Sequence, residues 1–178
     1  MVEQILPVEF LSSVRFRHVT QADLPGLEWE GEYSHFRRMY MDAYRRAQLG
    51  EAILWVIEYP QYGLLGQLFI HLHSQRHELA DGVNRAYIYG FRVRSSYRRL
   101  GLGTRLLEVA EQDLMRRGFL WAVLNVGRDN MDARRLYERL GYRVVAGDPG
   151  RWSYLDEQDI RHDVVEPAWR MEKRLKRL

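Results

Sequence analysis

Tyr97-Arg98-Arg99-Leu100-Gly101-Leu102-Gly103-Thr104 is the stretch on which the reading of this chain turns. Before it stands Ala86 to Arg94, a run of aromatic and β-branched residues that predicts a strand. After it Leu102, Leu106, Leu107, Ala110 and Leu114 recur at helical spacing and predict a helix through Arg117, closed by Gly118. Two glycines one residue apart at a strand-to-helix corner let the backbone turn tightly and expose consecutive N–H groups at the positive end of a helix dipole. Arg98 and Arg99 beside them are suited to phosphate oxygens, so the corner reads as an anion cradle with a pyrophosphate as its natural guest. An ordinary strand-helix corner is the plainer alternative for two glycines alone. Leu106 breaks the G-x-G-x-x-G pattern of a dinucleotide fold, and Gly103-Thr104-Arg105 lacks the lysine of a Walker loop.

Downstream, Phe119 to Val126 predicts an apolar, central strand. Ala133, Leu136, Tyr137 and Leu140 then share one helical face up to Gly141, Tyr142 to Val145 starts another strand, and Ala168 to Leu175 predicts a last one. The basic side chains of that last strand predict an exposed sheet edge. Upstream, Val14 to Val19 alternates as a strand, and Thr20 with Asp23 resembles a capping pair for a helix kept short by Pro25 and Gly26. Phe36, Tyr40, Ala43, Tyr44 and Ala47 predict an amphipathic helix from Tyr33 to Gly50. Ala52 to Glu58 and Leu65 to His73 predict a hairpin around Tyr59-Pro60-Gln61-Tyr62-Gly63. Hairpin strands followed by strand-helix-strand-helix-strand predict an α/β (α+β) class: a central mixed β-sheet flanked by helices, with at least one right-handed parallel crossover.

At 178 residues with 46% apolar content and no linker-like tract, the chain is expected to form a single domain over residues 1–178. The absence of cysteine excludes disulfides, thiolate metal sites and a cysteine nucleophile. Glu3 stands where a signal peptide wants positive charge, and no apolar run reaches a membrane-spanning length, so a cytoplasmic protein is expected. Lys and Arg exceed Asp and Glu by 27 to 24, which does not choose among a polyanion, a phosphorylated ligand and solubility.

Arg98-x-x-Gly101-x-Gly103 resembles the acyl-CoA signature Q/R-x-x-G-x-G/A of the GNAT superfamily of N-acetyltransferases. Asn130-x-x-Ala133-x-x-x-Tyr137-x-x-x-Gly141-Tyr142, about thirty residues on, resembles the second signature of the same superfamily. The resemblance covers Tyr87 to Val145. It implies a fold in which two parallel strands, here Ala86 to Val93 and Phe119 to Val126, splay into a cleft for the pantetheine arm. It implies that backbone groups of Phe91 and Val93 pair with that arm, and that the amides of Arg99, Leu100, Gly101, Leu102, Gly103 and Thr104, with Arg98 beside them, hold the pyrophosphate. Asn130 would hydrogen-bond the pantetheine; an N-cap is its plainer role. The implied co-substrate is acetyl-CoA and the implied reaction an acetyl transfer to an amine by direct attack, with an oxyanion met by a backbone N–H near Val93 and Tyr137 as general acid.

The position on the strand before the cradle where several such enzymes carry a glutamate base holds Tyr87. Glu28, Glu30, Glu32, His71, His73 and ordered water stay open as the base. His71 and His73 share a strand face, yet no Cys or Asp completes a ligand shell, and no metal is expected. Trp29, Tyr33, Phe36, Tyr40 and Tyr44 suit either an acceptor pocket or a helix-to-sheet core. The expected partner is a small-molecule or peptide amine, with a homodimer possible; membrane binding is not expected, nor nucleic-acid binding, because the arginines accompany no base-reading motif. A non-catalytic acyl-CoA-binding module is the alternative to an enzyme.

Overall fold

The computed structural model describes residues 7–176; the N-terminal stretch containing Glu3 lies outside them. Seven strands form one sheet: β1 (Arg15–His18), β2 (Ala52–Tyr59), β3 (Gly63–His71), β4 (Arg85–Val93), β5 (Trp121–Gly127), β6 (Arg143–Asp148) and β9 (Ala168–Arg174). Their spatial order is β1-β2-β3-β4-β5-β9-β6, and β4 with β5 is the parallel pair. Two further strands, β7 (Arg151–Leu155) and β8 (Arg161–Val165), make a separate hairpin. The helices are α1 (Pro7–Ser13), α2 (Arg37–Gln48), α3 (Leu102–Arg116) and α4 (Met131–Arg139).

The sheet is covered on both faces near its centre, which is why β2 reads as an uninterrupted apolar run. Ile53, Trp55 and Ile57 face the core built with Leu102, Leu106, Leu107, Ala110 and Leu114 of α3. Leu54 and Val56 point the other way, to Leu27 and to Tyr40 and Ala43 of α2. Thr20 and Asp23 behave as a cap: the Asp23 carboxylate accepts from the Thr20 N–H at 2.7 Å, opening a 3-10 helix over Gln21–Glu28. The helix expected from Tyr33 begins instead with a 3-10 turn at Ser34–Phe36 and becomes α-helical at Arg37.

Two features of the sheet create a cleft. First, β3 and β4 change register between Gln67↔Arg92 and Phe69↔Tyr89, leaving an extra residue in β4 at Gly90, whose φ is 59°. This is a β-bulge, and a left-handed backbone there suits glycine. The amide of Gln67, itself 1% exposed, donates to the Gly90 carbonyl at 3.1 Å and holds the bulge. Second, β4 and β5 are paired only from Arg85↔Trp121 to Ile88↔Leu124. Beyond that point β5 stays with β9 as far as Gly127↔Ala168, while β4 bends away.

The expectation that Ala168 to Leu175 forms a sheet edge is corrected. Strand β9 lies between β5 and β6, hydrogen-bonded on both sides, and the edges are β1 and β6. Of its basic side chains, Lys173 is neutralised within the fold: its Nζ donates to Glu111 at 2.6 Å, and Glu111 also accepts from the buried Tyr142 hydroxyl at 2.8 Å. The β7-β8 hairpin and α1 were not legible, because short elements with largely exposed residues lack a strong periodic signal.

Gly66 of β3 faces the far end of β4 with no room for a side chain. A Cβ there would stand 2.8 Å from the Arg92 carbonyl oxygen and 3.3 Å from Val93 Cα. Gly66→Ala is expected to cost about 1–3 kcal/mol through backbone displacement. A urea-denaturation midpoint equal to wild type would contradict this account of the packing.

Candidate active site

The splayed strands enclose a cleft of about 290 Å³, lined by Ile88, Gly90, Phe91 and Arg92 of β4 and by Leu124, Asn125 and Val126 of β5. Asn130, Ala133 and Tyr137 close it from the α4 side. Along β4 the Arg94 N–H donates to Leu65 O of β3 at 2.7 Å. Backbone groups alternate along a strand, so the amides of Phe91 and Val93 point away from β3 and toward the cleft. The Val93 carbonyl already accepts from Arg98 Nε at 3.0 Å, which turns the Arg98 side chain back onto the strand end.

At the mouth, Arg99 has φ 62° and Gly101 φ 79°, two left-handed residues bracketing Leu100. Gly101 is the N-cap of α3, and Arg105 is the first helical residue whose N–H finds a carbonyl, that of Gly101, at 3.0 Å. Leu102, Gly103 and Thr104 are thus the first-turn residues whose N–H groups a helix cannot satisfy internally. A turn of this shape at the positive end of a 15-residue helix is an anion-binding concavity.

Asn130 caps α4: its side-chain oxygen accepts from the Ala133 N–H at 3.2 Å. Tyr137 stands on the inner face of α4 with its ring centroid 6.4 Å from that of Phe91 and 5.9 Å from that of Tyr142. Burial pushes the Tyr137 phenol up to about 12, so it is protonated at neutral pH. Among the described residues no group accepts from its hydroxyl. The helix is fixed beneath it by the Tyr142–Glu111–Lys173 contacts and by the Tyr142 N–H donating to Tyr137 O at 3.0 Å.

None of the base candidates named from the sequence lines the cleft. Glu28 is paired with Arg37 at 2.7 Å and Glu30 with Arg94 at 2.8 Å, while Glu32 is exposed. His71 lies against Tyr89, ring centroids 4.2 Å apart, with its Nδ1 3.2 Å from Arg46 Nη1. His73 neighbours His77. Among the described residues no cluster of three metal-ligating side chains occurs. Tyr87 is on the opposite sheet face from Ile88; burial, then the negative charge of Asp148, pushes its phenol up to about 12. Of the aromatic set, Tyr40 belongs to the helix-to-sheet core, whereas Trp29 and Tyr33 surround the Arg92 guanidinium. Arg92 and Asn125 were not anticipated; an isolated glycine inside a strand, Gly90, was the available signal for the bulge that places Arg92.

The model of the acetyltransferase (GNAT) family matches residues 21–142. This chain belongs to the GNAT acetyltransferase family. It is 33% identical over 121 residues to N-alpha-acetyltransferase 40 of Saccharomyces cerevisiae, an alignment covering 60% of this chain and 42% of that protein. The chain therefore spans less than half of the curated relative it matches. In fold, this GNAT chain is similar to Ard1 from Thermoplasma volcanium, with a TM-score of 0.70 at 17% identity over 92% of this chain and 99% of that one. It is also similar to the PaiA N-acetyltransferase of Thermoplasma acidophilum in complex with coenzyme A, with a TM-score of 0.63 at 18% identity over 91% and 99% of the two chains.

Gly101→Val forces a β-branched residue into a left-handed backbone and disturbs the cradle. Calorimetric titration is expected to show CoA affinity falling at least tenfold, and unchanged affinity would remove the cradle from CoA binding. A separate consequence concerns His71, whose imidazole is pushed down from 6.5 to about 4 by burial and then by the Arg46 charge. The unfolded chain takes up this proton and the folded one does not, so stability is full above pH 6.5 and is lost as pH falls toward 4, about tenfold in the folding equilibrium per unit. Urea denaturation of His71→Phe, which keeps a ring on Tyr89, is expected to show a shallower loss over that window than wild type.

Proposed function

We propose that this chain is an enzyme that transfers an acetyl group from acetyl-CoA to the primary amine of a small molecule, an amino acid or a peptide N-terminus, working as a single domain. The observation that carries the reading is one cleft with an anion cradle at its mouth and, inside it, a partly buried, protonated phenol that has no hydrogen-bond partner among the described residues. The name of the yeast relative favours an α-amine.

The cradle amides from Arg99 to Thr104 bind the pyrophosphate, and the inward amides of Phe91 and Val93 pair with the pantetheine as an added strand does. The neutral amine attacks the thioester carbon, the oxyanion is met by a β4 backbone N–H near Val93 that the pantetheine leaves free, the C–S bond breaks, and the amine gives up one proton to water. The Tyr137 hydroxyl donates a hydrogen bond to the departing sulfur. Its pKa of about 12 lies above the ~8.5 of a thiol, so it stabilises the developing charge without ending as phenolate; the proton released by the amine balances the thiolate. Asn130 holds the start of α4, and with it the placement of Tyr137.

Tyr137→Phe keeps the ring and removes only the donor. Its kcat is expected to fall by ~10²–10⁴-fold with acetyl-CoA affinity and melting temperature almost unchanged. Wild-type kcat in the variant would remove Tyr137 from the mechanism. A wild-type protein that binds acetyl-CoA but releases no thiol across amino acids, peptides, polyamines and aminoglycosides would favour a non-catalytic acyl-CoA-binding module.

A further inference from the structure

Arg92 projects from β4 two residues beyond the bulge, on the face occupied by α2 and the Gln21–Glu28 helix. Its Nη2 donates to Leu27 O and Gln67 Oε1, each at 3.1 Å, and to the Tyr40 hydroxyl. Its Cζ lies 3.4 Å from the Tyr33 ring centroid, 4.8 Å from that of Trp29 and 5.7 Å from that of Tyr40. All three hydrogen bonds come from one nitrogen and end on neutral oxygens. Its Nε is buried without a partner, and among the described residues no carboxylate lies within 4.0 Å of the guanidinium. Arg94, two residues on and over the same Trp29, shows the ordinary solution: it grips Glu30 with both Nη atoms, at 2.8 and 3.0 Å.

A guanidinium withdrawn from water is normally matched by an anion. Aromatic faces offset part of that cost but carry no net charge. Arg92 is one of the residues that line the cleft, and its guanidinium, on the acceptor-facing side of β4, is a positive charge with no counter-charge beside it among the described residues. That charge is not for the phosphates of CoA. The cradle begins α3, which packs on the face of Ala86 and Ile88, whereas the Arg92 guanidinium is on the opposite face with Leu27 and Tyr40. The anion it awaits comes with the other reactant.

We infer that Arg92 receives a carboxylate carried by the acceptor, so that the preferred substrate is an acidic amine. A planar guanidinium held by stacking on Tyr33 suits a carboxylate in geometry as well as charge. The α-carboxylate of a free amino acid and an acidic side chain near a peptide N-terminus present this same group. The inference rests on the reading of the cleft as an amine acetylation site.

The experiment compares kcat/KM within matched acceptor pairs: alanine against alaninamide for the α-carboxylate, and C-terminally amidated peptides beginning Ser-Asp against Ser-Asn for the side chain. Wild type is expected to favour the acid in one pair by on the order of tenfold or more, and the pair that responds identifies the source. In Arg92→Met the acid-to-amide ratio is expected to collapse to about one, while Arg92→Lys keeps part of it. No preference for the acid in either pair, read on wild type alone, overturns the inference. So does an Arg92→Met variant that loses activity toward acid and amide in equal proportion, the mark of a purely structural arginine. Calorimetric titration of N-acetylalanine and of its amide onto the CoA-bound protein separates the two failures. Acid-selective binding without acetyl transfer keeps the carboxylate site and sinks the catalytic reading; acetyl transfer without acid selectivity does the reverse.

Discussion

The structure depends on where two parallel strands stop being hydrogen-bonded to each other. Past Ile88 and Leu124, β5 keeps β9 as its partner, whereas β4 bends at the Gly90 bulge and remains with β3. Backbone groups that would have closed a continuous sheet are left facing a cleft, and buried backbone donors require partners. The opening is maintained from both sides by satisfied hydrogen bonds, those of Gln67 to Gly90 and of β9 to β5.

Everything chemical is arranged around that opening by rigid elements. The crossover from β4 to β5 must run through α3, which puts a helix N-terminus at the mouth of the cleft. The next crossover places α4 along its side, with Tyr137 turned inward and its backbone braced by Tyr142, Glu111 and Lys173. On the other face, Trp29, Glu30 and Gly31 hold three consecutive positive φ values of 46°, 56° and 98°. Non-glycine residues pay for such a conformation, and the Arg94–Glu30 pair with the stacking of Arg92 and Arg94 on Trp29 holds it. The face that holds Trp29 and Arg92 is thus tied to the same strand that borders the cleft.

Much of this was legible because it rests on local chemistry. Gly101 and Gly103 after a strand form the tight turn and helix start they announce, and the apolar face of Leu102 to Leu114 is the buried face of α3. Asn130 as an N-cap and Tyr137 on an inner face follow from helical spacing alone. The parallel crossover followed from a helix joining two strands. The β7-β8 hairpin was missed since it buries little apolar surface of its own and docks through Trp152 and Tyr154 against Phe36, a contact between distant segments.

The sequence by itself determined the order of the seven sheet strands and of α2, α3 and α4, the glycine turn that opens α3 and the two signature segments, because each depends on residues within one or two turns of one another. Only the tertiary structure decided that Ala168–Arg174 is interior, since strand order is set by packing and crossover geometry and not by the composition of a strand. Only the tertiary structure withdrew Glu28, Glu30 and His71 into other partnerships, because a charge is spent or free according to what folds beside it. The same holds for Arg92: nothing in Gly90-Phe91-Arg92-Val93 marks one arginine among many, and its character comes from four segments that surround it with rings and neutral oxygens and, among the described residues, with no counter-charge.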